Sequence, residues 1–229
     1  MAEAKKAKRP LVTTPKGRFK FPHLIVPDTK YDKDGKFHVQ LVLDEKSAAP
    51  LIKQFAPEHK AAIASAKEEY DEMAAEAEKL KKKMKVLFNP QDFFTSEVED
   101  GEPTGNVVFT FGTKAKLTVK DKSGKDRVIQ RVIPVFDAKG QRINGSDLSI
   151  WGGTLGKVSF FAQPYFIPGS GLAGLSFRLA AVQVIELVSG GGRSAGGFGF
   201  GQEDGFEYEP KDNGPDVGDE EPLDDEIPF

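Results

Sequence analysis

Cysteine is absent from the 229 residues, which excludes disulfides and thiolate metal sites and fits a reducing intracellular compartment. Long apolar runs are missing too: no stretch approaches the length at which a helix crosses a bilayer. Histidine is scarce. His23, His38 and His59 are scattered without metal-ligand spacing, and each is expected to be structural. Rigidly clustered acids, which a nuclease needs to hold a pair of metal ions, are also lacking, because the paired carboxylates gather near the C-terminus. Gly152-Gly153-Thr154-Leu155-Gly156-Lys157 comes near a phosphate-binding loop, yet its glycine spacing is one residue short and a strand follows where a helix N-terminus is required. These absences speak against an enzyme, and no cofactor or metal is expected.

What is present is charge, in two opposed blocks. From Gln202 onward there are 12 acidic residues and one basic residue, Lys211, a charge of −11. Residues 1–201 carry 31 basic and 23 acidic residues, a charge of +8. A basic body joined to an acidic tail implies a polyanion-binding surface with its own tethered competitor. The join, residues 189–201, is a Gly-rich linker expected to hold no fixed backbone. Residues 1–16 read as a flexible basic arm, charged and without the apolar core of a signal peptide. The tail, 202–229, ends in Asp224, Asp225, Glu226, Ile227, Pro228 and Phe229. Acids followed by an aromatic plug and a main-chain carboxylate suit capture by a basic pocket on a partner protein. A plain solvated acidic tail is the other reading, and it leaves Ile-Pro-Phe unexplained.

Residues 17–188 are long enough for one domain with its own core. Gly17 to Val26 and Lys36 to Leu43 alternate as a strand pair around the turn Asp32-Lys33-Asp34-Gly35. From about 47 to 86 the chain turns to Ala, Glu and Lys, with Pro50 and Pro57 each suited to a helix's first turn. Ile63, Ala66, Tyr70, Met73, Ala77, Leu80, Met84 and Leu87 trace one apolar stripe, predicted to pack on the barrel rather than in a coiled coil. Strands return over Asn106 to Lys120, Val128 to Phe136, Gly156 to Phe166 and Gly174 to Val188. Six strand-like segments with short turns and no alternating helices predict a mainly β protein: an antiparallel barrel of the five-stranded OB type with a long inserted helix.

The order of landmarks from Phe19 onward resembles the OB-fold single-stranded-DNA-binding proteins of tailed bacteriophages. The series comprises the charged Gly turn, the Glu/Lys/Ala helix, the lysine-rich hairpin around Asp121-Lys122-Ser123-Gly124-Lys125 and Val135-Phe136-Asp137-Ala138-Lys139-Gly140. Gly152-Gly153, Pro164-Tyr165 and a last strand running into Gly-Gly-Gly and an acidic tail complete it. The tip itself is similar to that of bacterial single-stranded-DNA-binding proteins, where it recruits replication and repair enzymes. Phage proteins of the type usually end in a generic acidic tail with an aromatic residue, so this tip points to host machinery. The resemblance implies a non-catalytic protein that coats single-stranded DNA during phage replication, recombination or repair, in the cytoplasm of the infected bacterial host. A protein-interaction adaptor built on the same barrel and tail is the alternative. Whether the chain is a monomer or a dimer is open.

Single strands are held by cations along the phosphates and by rings under the bases. Aromatics on polar strand faces are therefore the candidates: Phe161 and Tyr165, which share a face with Lys157. Trp151, the only tryptophan, lies in a Gly-flanked loop and reads either as an exposed stacking ring or as a plug for the barrel end. Tyr31 in the first hairpin is a further ring. Arg18, Lys20, Lys114, Lys116, Arg131, Lys157 and Arg178 fall on polar faces and form a candidate phosphate-tracking group.

Overall fold

The computed structural model describes residues 9–30, 32–81, 86–120, 125–143 and 148–188. In chain order the elements are β1 (Val12–Thr13), β2 (Gly17–Asp28), β3 (Lys36–Asp44), α1 (Glu45–Lys79), β4 (Asn89–Pro90), β5 (Thr95–Glu99) and β6 (Glu102–Lys114). They continue with β7 (Lys116–Lys120), β8 (Asp126–Gln130), β9 (Val135–Phe136), β10 (Arg142–Ile143), β11 (Leu155–Ile167) and β12 (Leu172–Glu186).

Five of these strands close on themselves. β2 pairs β3 and β3 pairs β6, both antiparallel; β6 meets β12 in parallel; β12 pairs β11 and β11 returns to β2, again antiparallel. Taken in chain order, the barrel strands neighbour one another as first, second, third, fifth, fourth and back to first. This is a mainly β, five-stranded OB barrel. The return seam is short, Leu155 opposite Arg18 and Gly156 opposite Gly17. It closes because Gly156 and Gly17 lack a side chain. A Cβ on Gly156 would lie 2.4 Å from the Gln183 carbonyl oxygen and 2.4 Å from the Phe19 ring, and one on Gly17 would lie 2.6 Å from the Val42 oxygen. The expected single strand over 106–120 is instead two: β6 leaves the barrel at Ala115, and β7 continues with β8 as a separate two-stranded ribbon.

Strand alternation sends Phe19, Leu41, Phe109, Phe111, Phe160 and Phe177 inward. Phe177 is the hub, within ring contact of Phe55, Phe93, Phe109, Phe111 and Phe160. Each such ring contributes about 1.5–3 kcal/mol by leaving water.

Helix α1 starts at Asp44, whose carboxylate accepts the Ser47 backbone N–H (2.9 Å) and the Ser47 hydroxyl (2.7 Å), satisfying one of the open donors of the first turn. Its buried residues are Ala48, Leu51, Phe55, Ala62 and Ala66, and Phe55 packs its ring on Phe160 and Phe177. The helix therefore stoppers one end of the barrel with its first half. The predicted stripe over 63–87 shares only Ala66 with this seam: Leu80 and Leu87 are exposed, and Met84 lies outside the described residues. Ile63, Tyr70, Met73 and Ala77 are half-buried, so burial along the stripe fades with distance from the barrel end and is lost by Leu80. Tyr70 rests on Phe88 and donates to the Val86 carbonyl at 2.9 Å. Pro50 and Pro57 sit inside the helix, beyond its first turn, which leaves the carbonyls of Lys46 and Lys53 without their usual N–H donor. The last turn closes at Leu80, whose N–H reaches the Glu76 carbonyl, and Lys81 adopts a left-handed φ of 53°.

Candidate nucleic-acid interface

The outer wall of β2 carries an irregularity that the sequence conceals. Strict alternation would place Phe21 inward beside Phe19. Pairing with β3 slips between Lys20 and His23, Phe21 takes φ 48°, and its ring swings out to 65% exposure. A left-handed conformation costs a non-glycine residue roughly 1–2 kcal/mol, and it persists only where the surrounding structure imposes it. Here the imposition comes from the neighbouring loop. Gly153 N–H donates to the Phe19 carbonyl (2.9 Å) and Phe19 N–H donates to the Thr154 carbonyl (2.8 Å). The same loop presents Trp151, 56% exposed, with its N–H bonded to the Val188 carbonyl at 2.9 Å. Phe21 and Trp151 share a cleft of about 500 Å³ with Arg18, Lys20 and His23. Trp151 is thus an exposed ring, not a barrel plug. Phe21 was missed by sequence reasoning, because the only hint is a Phe-Pro step inside a strand, where proline marks irregular pairing.

Arg18 and Lys20 do not stand free. Arg18 Nη2 lies 2.8 Å and Lys20 Nζ 2.9 Å from Glu97 Oε1, and Glu99 adds weaker contacts at 3.6 and 3.7 Å. Thr104 Oγ1 and Asn106 Nδ2 donate to the other Glu97 oxygen, each at 2.9 Å. Glu97 is only 2% exposed. Burial alone would raise its pKa, but the hydrogen bonds from Lys20, Asn106 and Thr104 and the charge of Arg18 outweigh that and hold it at about 2. The two cations expected to be available for phosphates are therefore already engaged by carboxylates. The turn that returns β5 into β6 brings Glu97 to them, a non-local contact with no signature in the local sequence.

A second cleft, of about 290 Å³, opens on the barrel wall where β6 passes from β5 to β12. Tyr165, Lys36, Thr110, Phe94 and Ser176 line it. Tyr165 is half-buried, lies opposite Gly174 with its ring within 3.4 Å of where a Cβ would stand there, and has its pKa raised by burial.

The remaining expected residues divide. Phe161 departs from its expected role: it is 8% exposed, and the Arg178 guanidinium covers it at 5.9 Å from the ring centre, the two facing each other across β11 and β12. Polar-face position alone did not reveal that a cross-strand cation would lie over the ring. Arg131 is half-buried and donates to Thr113 Oγ1 at 2.8 Å, tying β8's exit to β6. Lys157 is half-buried opposite Gln183. Lys114 and Lys116 are exposed, and Lys116 leads into the β7–β8 ribbon, where Lys120, Lys125 and Arg127 are exposed as well. Tyr31 and the tip from Asp224 to Phe229 lie outside the described residues.

Strand pairing also corrects the picture of scattered histidines. His23 and His38 face each other across β2 and β3 with ring centres 4.7 Å apart, and His38 Nε2 is 3.3 Å from Asp28 Oδ2. Burial leads in lowering the His38 pKa, while the Lys30 N–H leads in lowering that of Asp28. His59 is apart from them, with Nε2 2.8 Å from the Gln91 carbonyl oxygen and its ring edge-on to Phe93.

The wall so described is that of a protein similar to phage strand binders. A family model described as the single-stranded DNA-binding protein of bacteriophage T7 matches residues 20–187. The single-stranded DNA-binding protein of Enterobacteria phage T3 is 26% identical over 182 residues, 79% of this chain and 71% of that protein. The crystal structure of the bacteriophage T7 single-stranded DNA-binding protein superposes with a TM-score of 0.59 at 20% identity, covering 88% of this chain and 100% of that one. The protein from bacteriophage Enc34 in complex with single-stranded DNA gives 0.48 at 12% identity, over 81% and 95%.

Proposed function

Because the chain belongs to the family of the bacteriophage T7 single-stranded DNA-binding protein, we propose that it coats single-stranded DNA without catalysis, across the outer wall of its barrel. The observation that carries this reading is the pair of exposed rings, Phe21 and Trp151, set in one cleft beside two cations. A base has an aromatic face whatever its identity, so such rings hold strands without selecting sequence, at about 1–3 kcal/mol per stacked base. Tyr165 in the second cleft serves as a further stacking ring. Lys114, Lys116 and the exposed basic residues of the β7–β8 ribbon supply phosphate contacts. Arg18 and Lys20 are held by Glu97 in a fixed position at the cleft, contributing less charge than their number suggests.

The acidic segment beyond Gln202 is proposed to play two parts. Its carboxylates compete with phosphates for the basic barrel, and the tip from Asp224 to Phe229 recruits replication, recombination or repair proteins, those of a bacterial host included. This work belongs to the cytoplasm of an infected bacterium.

The test is titration of the purified protein with oligo-dT while following Trp151 fluorescence at two salt concentrations. The proposal expects quenching that weakens as salt rises, with a log–log slope of about −0.7 per phosphate contact. Absence of quenching together with no gain in anisotropy of a labelled strand overturns it, and favours an adaptor that binds only proteins.

A further inference from the structure

We propose that His23, Asp28 and His38 form a binding site for a divalent transition metal of the zinc class on the outer wall of β2 and β3. One ligand atom from each residue can be chosen so that all lie within 4.8 Å of one another, with Asp28 and His38 half-buried and His23 on the exposed side. The Asp28 Oδ2 to His38 Nε2 separation of 3.3 Å is long for a hydrogen bond but matches a coordination edge: donors at about 2.0–2.1 Å from a tetrahedral zinc stand about 3.3 Å apart. His23 stands directly across the strand pair from His38, so side-chain rotation alone closes the remaining edges. Asp28 is also oriented for the task. Its Oδ1 accepts the Lys30 N–H at 2.8 Å, which turns Oδ2 toward His38, the sort of outer contact that fixes a metal ligand.

Two imidazoles and one carboxylate suit zinc, cobalt, nickel or copper and disfavour magnesium and calcium, which take oxygen donors. Three protein ligands leave a position open to water or to a further ligand. Lys36 is the opposing charge. It lies across from Asp28, and its stem runs over Gly112, the β6 partner of His38, so it weakens binding without filling the site. His23 also lines the cleft of Phe21 and Trp151, so the metal site adjoins the proposed strand-binding surface, and it is tested without DNA so that the two readings fail separately.

The experiment uses the full chain, stripped with EDTA and titrated with zinc chloride, while the histidine ring signals are followed by NMR. The chain has three histidines, and His59, engaged with Gln91 and Phe93, is the internal control. His23 and His38 signals are expected to move together and saturate at one equivalent, with His59 unmoved and magnesium without effect. Asp28→Asn is expected to weaken the zinc response by about tenfold or more, with an unchanged His59 signal reporting an intact fold; His38→Gln is expected to abolish it. Zinc that leaves His23 and His38 unmoved, that moves all three rings alike, or that acts equally on Asp28→Asn overturns the site.

Discussion

Replacing Glu97 by glutamine removes a charge and keeps the side chain's shape, so it isolates what the buried carboxylate contributes. In the folded protein its pKa is lowered from 4.5 to about 2. At 1.36 kcal/mol per pKa unit this corresponds to about 3 kcal/mol. The cations that hold it are partly in water, Arg18 at 37% and Lys20 at 25% side-chain exposure, and screening reduces the figure to about 2 kcal/mol. The folded pKa is depressed, so this stabilisation is complete above the unfolded value near 4.5 and is lost as pH falls through about 2. At pH 7, Glu97→Gln should therefore melt roughly 4–8 °C below the parent, given about 2–4 °C per kcal/mol in a domain of this size. The assay is thermal unfolding by circular dichroism of both proteins at a series of pH values. The gap should narrow steadily between pH 5 and pH 2. A gap that stays constant over that range, or none at pH 7, refutes the reasoning. Releasing Arg18 and Lys20 should also steepen the salt dependence of strand binding by about 0.7 per cation freed.

Other consequences are equally direct. Trp151→Ala should weaken oligo-dT binding by about 1–3 kcal/mol in anisotropy titrations. Phe21→Gly should do the same while keeping the melting temperature close to the parent's, because glycine accepts the left-handed backbone; a sharp drop in melting temperature would show that the ring supports the fold instead. Gly156→Ala should cost about 3 kcal/mol or more in urea unfolding, since its new methyl group meets the Gln183 carbonyl and the Phe19 ring; an unchanged midpoint would deny that the seam needs glycine there. Removing residues 202–229 should tighten strand binding at low salt, and unchanged affinity would argue against self-competition. Deleting Phe229 alone should spare strand binding and abolish capture of partner proteins in pull-down assays, and continued capture would exclude the plug.

The barrel was legible because strand alternation and turn chemistry are local. Phe37, Val39 and Leu41 announce β3, and Gly35, at φ 77°, closes the turn before it. The apolar helix stripe misled, since periodicity reveals which residues share a face but not how far the neighbouring wall extends. Contacts across the sheet were not legible at all. Glu97 finds Arg18 and Lys20, His23 finds His38, and Arg178 covers Phe161 only once register is set. Phe21 was hidden for a different reason. A slip in pairing reversed its side relative to the alternation from which a strand's faces are read.

The central claim is that single strands lie on the outer wall of the barrel against Phe21, Trp151 and Tyr165. Photocross-linking to oligonucleotides carrying 5-iododeoxyuridine, with the attached peptides mapped by mass spectrometry, tests it most directly. Cross-links concentrated on those three rings are the predicted result. Efficient cross-linking confined to the exposed half of α1, with none on the barrel wall, would contradict it.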